Sequence, residues 1–175
     1  MKRRIEIFDA TKHAGLAWAF HVSPFSCGNH EHYEQYLRLV AATDKATGMG
    51  TTHILIANDG KSEYIAGFVT MKAAAIISEC DGVLNGTPAI EISELAVAEE
   101  CERKGYGRDL LDYAVSVSCV ISNSAAAVKH IILCADPASV GFYEKYGFRK
   151  LKGGSMIPTE GWNENCIPMY LTIYH

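Results

Sequence analysis

The chain lacks an apolar run long enough to span a bilayer, so no transmembrane helix is expected. The basic opening Met1-Lys2-Arg3-Arg4-Ile5-Glu6 lacks the apolar stretch and cleavage site of a signal peptide. A cytoplasmic protein with no membrane partner is the expectation. C-x-x-C spacing is also missing. The six cysteines (Cys27, Cys80, Cys101, Cys119, Cys134, Cys166) are scattered and read as reduced, mostly buried thiols. There is no excess of positive charge: the formal net charge of −4 argues mildly against a large polyanionic partner. Internal repeats and low-complexity tracts are absent, and 175 residues suffice for one domain with a full core, residues 1–175. A G-x-x-x-x-G-K-[ST] phosphate loop is missing, and Leu110 stands where a G-x-G-x-x-G fingerprint needs its third glycine. A nucleoside triphosphate or dinucleotide site is therefore disfavoured.

Cys27, His30 and His32 form a C-x-x-H-x-H string. No second ligand cluster supports it, and the two histidines point to different faces of a helix, so no metal is expected. Asn29 reads as a helix cap instead.

Periodicity predicts the elements. Arg3–Phe8 alternates as a first strand, and residues 10–20 are Ala-rich and helical. Pro24 breaks the chain, and Phe25-Ser26-Cys27-Gly28-Asn29 forms a turn. From His30 to about Asp44, Tyr33, Tyr36, Leu37, Val40 and Ala41 make a one-sided helix. Thr52–Ala57 and Tyr64–Lys72 are strands joined at Asn58-Asp59-Gly60. Ala73–Ile77 either continues the strand or starts a helix, and the rest of 73–87 reads as loop. Ala89–Val97 is a strand, and Gly105–Ser122 a helix whose inner face is Leu110, Leu111, Ala114, Val115, Ser118 and Cys119. His130–Ala135 is a short buried strand. Asp136 then caps a helix with Pro137 at its first position, and Gly147 ends it in the left-handed conformation. Phe148–Leu151 and Cys166–Ile173 are the last strands. The alternation predicts a mixed α/β fold, a central sheet with helices on both faces.

The richest stretch runs from Ala96 to Leu111. A strand enters a charged loop holding Gly105 and Gly107, and an apolar-periodic segment leaves it. Glycines let backbone N–H groups approach an anion, and the open amides and dipole of a first helical turn favour negative charge. Arg103, Lys104 and Arg108 add positive charge at the same point. A G-x-G pair alone is a weak signal, but a second motif lies downstream at Asp136-Pro137-Ala138-Ser139-Val140-Gly141-Phe142-Tyr143-Glu144-Lys145-Tyr146-Gly147-Phe148.

Together, the two motifs resemble those of the GCN5-related N-acetyltransferase (GNAT) superfamily. Its loop reads Q/R-x-x-G-x-G/A, matched here at Gly105 and Gly107, with Glu102 in the first position. Its second signature, N-x-x-S-x-x-F-Y-x-x-x-G-F, is matched by Asp136, Ser139, Phe142, Tyr143, Gly147 and Phe148. The resemblance covers about residues 50–150 and implies a mostly antiparallel sheet splayed at the cofactor strand, with acetyl-CoA as co-substrate. It places coenzyme contacts at Leu95, Ala96 and Val97, with the Val97 N–H near the thioester oxygen, and at Arg103, Lys104, Gly105, Tyr106, Gly107, Arg108, Asp136, Ser139 and Phe142. It also implies that the Tyr143 phenol protonates the departing thiolate. For the general base the resemblance puts Glu91 first, at the same distance before the first loop glycine as the catalytic glutamate of the histone-acetylating branch, then Glu94 on the opposite face of the strand, and leaves a water-relayed or substrate-assisted deprotonation as the third route. Burial there raises a carboxylate pKa toward the range a base needs.

The resemblance implies an amine acceptor, with a small molecule or a protein as the default. Phe25-Ser26-Cys27-Gly28-Asn29, the Tyr36-Leu37 helix and Ile167-Pro168-Met169-Tyr170-Leu171 are similar to segments of toxin-type acetyltransferases that modify aminoacyl-tRNA, which keeps tRNA as an alternative. A further alternative is a sensor or partner protein that binds acetyl-CoA without turnover. A homodimer is the default assembly.

Overall fold

A computed structural model describes residues 2–17, 30–153, 155–157 and 165–173. The Phe25–Asn29 turn, with Cys27 and the Asn29 cap, and much of the loop before Cys166 lie outside the described residues. The chain forms two compact units, Met1–Lys72 with Glu94–Ala114, and Ala73–Ser93 with Val115–His175.

In the first unit, β1 (Lys2–Ile7) pairs antiparallel with β2 (Thr51–Asn58), which pairs antiparallel with the start of β3 (Glu63–Cys80). The β2–β3 turn forms as expected: the Asn58 side chain accepts from the Gly60 N–H, and Asp59 accepts from Lys61 and Ser62. β2 is buried along nearly its whole length, which explains its unbroken run Ile54-Leu55-Ile56-Ala57. These residues join Ile65, Ala66, Phe68 and Val69 of β3 in the buried core. Each large apolar side chain so buried contributes about 1.5–3 kcal/mol.

The expected helix from His30 is three pieces: α2 (His30–Gln35), a π-helical turn (Tyr36–Val40) and α3 (Ala41–Thr47), closed by Gly48. Tyr36, Leu37 and Ala41 are buried as predicted, but Val40 is exposed. A π turn holds an extra residue per turn, and Val40 at its end is rotated off the inner face. Near the N-terminus, Asp9 caps the turn at Thr11 and Lys12, and the described helix α1 is Ala14–Ala17.

The ambiguous 73–87 stretch is strand. β3 continues to Cys80, turns at Asp81 and Gly82, both with positive φ, and returns as β4 (Val83–Val97). In the second unit β4 is joined by β5 (His130–Ala135) in a parallel ladder over Ala89–Ile92, and β5 pairs antiparallel with β8 (Ile167–Thr172). β6 (Arg149–Lys150) adds to β8, and β7 (Ser155–Met156), unforeseen in the sequence, pairs with β3. Ile76, Ala89, Ile132 and Ile157 form a buried cluster here. The fold is mixed α/β with mostly antiparallel pairing.

One expectation is corrected. Cys134 and Cys166 are not free thiols but a disulfide, with Cα atoms 5.5 Å apart. The antiparallel register sets Cys134 opposite Pro168 and Ala135 opposite Ile167, which brings Cys166 to its partner across 32 residues of sequence. No short-range spacing could signal that pair. Of the other described cysteines, Cys101 is buried, Cys119 half-buried and Cys80 exposed.

Candidate functional site

The first unit carries the end of β4, the charged loop and the start of α4 (Tyr106–Ser124). Glu94, Leu95, Ala96 and Val97 lead into a short 3-10 turn at Glu99–Cys101, where the Cys101 N–H donates to Ala98 O. The loop is held at both ends and open between. Cys101 is 1% and Tyr106 3% exposed, whereas Arg103, Lys104 and Gly105 are exposed. Tyr64 lies against both anchors, and burial together with those two neighbours raises its phenol pKa. The Arg3 guanidinium sits 5.2 Å over the Tyr106 ring and 2.6 Å from Asp109 in the first turn of α4.

Two residues in the loop have positive φ: Arg103 at 56° and Gly105 at 88°. An arginine held there stores about 1–2 kcal/mol of local strain, a cost that the buried anchors on either side offset. A Cβ added at Gly105 would meet nothing within 4 Å, so the turn faces open space. Lys104 Nζ reaches back to Glu100 O, and Arg108 Nε lies 3.8 Å from Asp112, which leaves the backbone of the turn between cationic side chains. An exposed left-handed turn opening a long helix, flanked by cations, has the chemistry to hold a diphosphate.

Behind the loop, Gly67 of β3 faces the end of β4. A Cβ at that position would lie 2.7 Å from Ala96 O and 3.3 Å from Val97 Cα, and Ala98 N donates to Ala66 O. Sequence reading missed Gly67, although an isolated glycine in Ile65-Ala66-Gly67-Phe68-Val69 is the usual mark of close backbone approach. It also missed the anchor Cys101, and it gave Tyr106 as a coenzyme contact without foreseeing that the ring is buried as the second anchor.

Glu94 is largely buried, with 17% of its side chain exposed, and its Oε1 lies 3.3 Å from His32 Nε2. Burial pushes its carboxyl pKa up. His32 and Lys72 oppose that shift, and Asp44 adds to it. Beside this pair, Tyr36 donates to Asp44 Oδ2 at 2.8 Å, and Thr52 and Thr70 hydrogen-bond in the interior. Burial lifts the Tyr36 phenol to about 12.

The second unit holds the other expected residues. Glu91 is 1% exposed and stands opposite Ile132 in the parallel ladder. Asp136 accepts from the Ala138 N–H at 2.8 Å and caps a 3-10 turn, Pro137–Ser139, that opens into α5 (Val140–Tyr146). Gly147 ends α5 left-handed at φ 113°, as predicted. Tyr143 is buried between the edges of Phe142 and Phe148, while Phe142 itself is exposed. Among the described residues, no cluster of His, Cys, Asp and Glu is arranged to hold a metal ion, and no helix is long and apolar enough to cross a membrane.

The acetyltransferase (GNAT) domain family matches residues 50–150, which include the loop and the Asp136–Phe148 segment. The chain belongs to the GNAT acetyltransferase family. As a GNAT enzyme it is an N-acetyltransferase that uses acetyl-CoA. No curated protein sequence matches it. Solved structures similar to this GNAT chain include a bacterial toxin, 21% identical with a TM-score of 0.73, covering 98% of this chain and 90% of the toxin. Another is a mutant of the toxin AtaT bound to acetyl-CoA and the C-terminus of the antitoxin AtaR, 17% identical, TM-score 0.70, covering 98% and 94%. A third is AtaT complexed with acetyl-methionyl-tRNAfMet, 17% identical, TM-score 0.65, covering 95% and 94%.

Proposed function

We propose that this enzyme moves the acetyl group of acetyl-CoA to a primary amine of a small molecule or a protein, by direct attack of the amine on the thioester. The observation that carries the reading is the largely buried Glu94 carboxylate, placed on the strand that runs into the exposed turn at Arg103–Gly105. Acetyl-CoA, when bound, supplies the activated acyl carbon and a thiolate leaving group. The amides from Arg103 to Arg108 hold its diphosphate, Arg103 and Lys104 add charge, and Tyr106 keeps the turn in place. Leu95 and Ala96 offer backbone groups to the pantetheine arm, and the Val97 N–H donates to the thioester oxygen. Asp136, Ser139 and Phe142 complete coenzyme binding from the second motif.

The ammonium of the acceptor must lose a proton before it attacks. We assign that step to Glu94 rather than Glu91. Burial keeps the Glu94 proton affinity high while part of the side chain still meets solvent, whereas Glu91 is enclosed in its ladder. Tyr143 holds the proton that the departing sulfur receives.

Aminoacyl-tRNA is the second reading, favoured by one observation: AtaT, similar over 95% of this chain, was solved with acetyl-methionyl-tRNAfMet. The net charge of −4 weighs against it. A thiol-release assay with acetyl-CoA and spermidine, free amino acids, lysine peptides and methionyl-tRNA separates the two. Turnover with methionyl-tRNA alone replaces the first reading by the second. Tight coenzyme binding with no acceptor at all would make the protein an acetyl-CoA sensor. Tyr143→Phe is expected to slow transfer about 100-fold at unchanged coenzyme affinity; an unchanged rate removes Tyr143 from the mechanism.

A further inference from the structure

His32, one of the three members of the C-x-x-H-x-H string, is brought by α2 to the carboxylate at the proposed site. Its Nε2 is 3.3 Å from Glu94 Oε1. The ring is set by aromatic packing: its centroid is 5.3 Å from that of Tyr33, edge-on, and Tyr33 meets the buried Phe68 at 6.3 Å. The two partners differ in access to water. The His32 side chain is 51% exposed and that of Glu94 only 17%. A largely buried carboxylate that takes a proton has few routes to release it, and imidazole is the side chain that exchanges protons most readily near neutrality. Among the described residues, Lys72 on β3 and Asp44 on α3 also act on Glu94. Neither joins an accepting nitrogen to an exposed face, as an imidazole does.

We propose that His32 is a positioning residue for the reaction, orienting Glu94 and exporting its proton. This rests on the reading of Glu94 as the base. An N–H bond of the acceptor ammonium breaks as an O–H bond forms on Glu94, leaving a neutral amine and a carboxylic acid. The acid passes its proton to His32 Nε2, which restores the carboxylate and makes an imidazolium. The Nδ1 proton then leaves to water, and exchange of the neutral ring with solvent returns a proton to Nδ1 and removes the one on Nε2, so that Nε2 can accept again in the next turnover. The couple also presents a negative charge to a cationic amine at the start of each cycle.

The test tracks the Glu94 carboxyl directly, by pH titration of the 13C-labelled enzyme with Glu94→Gln to assign the signal. Alongside it, kcat/KM is measured against pH with acetyl-CoA and the panel amine that releases thiol fastest. In His32→Ala the Glu94 midpoint is expected to rise, because the imidazole opposes the upward pull of burial. The acid limb of the rate profile should move the same way. The rate should fall about tenfold at unchanged KM for acetyl-CoA, and added imidazole should restore it. His32→Gln keeps the size and a hydrogen bond but not the proton exchange, so it should lose rate as His32→Ala does. A titration and profile that superimpose on wild type overturn the proposal and leave acetyl transfer untouched. A carboxyl midpoint that moves without the rate limb means that Glu94 is not the base, and both readings of the couple fall. No turnover with any panel amine overturns the proposed function itself, and the role of His32 with it.

Discussion

The two halves of β4 use the same residue type in opposite ways. From Ala89 to Ile92 the strand is zipped to β5, and Glu91 is 1% exposed within that ladder. From Glu94 to Val97 it runs toward a loop, and Glu94 keeps 17% of its side chain exposed and an imidazole at 3.3 Å. The carboxylates are three positions apart in sequence, and an odd step puts them on opposite faces. A buried carboxylate costs stability wherever it sits. A carboxylate can do proton chemistry only where a proton can arrive and leave, and the exposed edge and the imidazole are on the side of Glu94.

Breaking the half that carries Glu94 should give the largest effect. Glu94→Gln is expected to lower kcat/KM about 100- to 1,000-fold with coenzyme affinity unchanged, read by steady-state kinetics and calorimetric titration of CoA. The packing behind that half comes next. Gly67→Ala drives a methyl into Ala96 O, and a loss of about 1–3 kcal/mol is expected in urea denaturation. A smaller effect concerns stability against pH. Burial raises the folded-state pKa of Glu94, so its contribution to stability is full at low pH and is lost as pH rises through the folded midpoint. Glu94→Gln should therefore melt higher than wild type at neutral pH, and the two curves should converge in acid. A lower melting temperature would mean that the His32 contact outweighs burial. The smallest effect belongs to the ladder half: Glu91→Gln should keep its rate within about a factor of three, any change appearing in stability instead. A collapse of activity in folded Glu91→Gln would reverse the assignment.

Much of the fold and the loop was legible in the sequence because the signals are local. Asn58-Asp59-Gly60 predicts its turn through its own side-chain hydrogen bonds, and Asp136-Pro137 predicts its cap. Gly105 and Gly107 in a charged stretch predict a turn, and Gly105 takes the left-handed conformation in an exposed one. The strand over 73–87 was ambiguous because Ala-rich, Gly-interrupted sequence has no clear period, and only pairing across the Asp81-Gly82 turn decides it. Val40 fell on the predicted inner face because a regular period cannot anticipate a π turn.

By itself the sequence determined most of the elements, the two motifs and the family, since turn chemistry, capping and periodicity act within a few residues. Only the tertiary structure gave Glu91 and Glu94 their different surroundings, joined His32 to one of them, bonded Cys134 to Cys166 and gave Gly67 its reason. Burial and partnership belong to neighbours distant in the chain, and no window of sequence contains both members of such a pair.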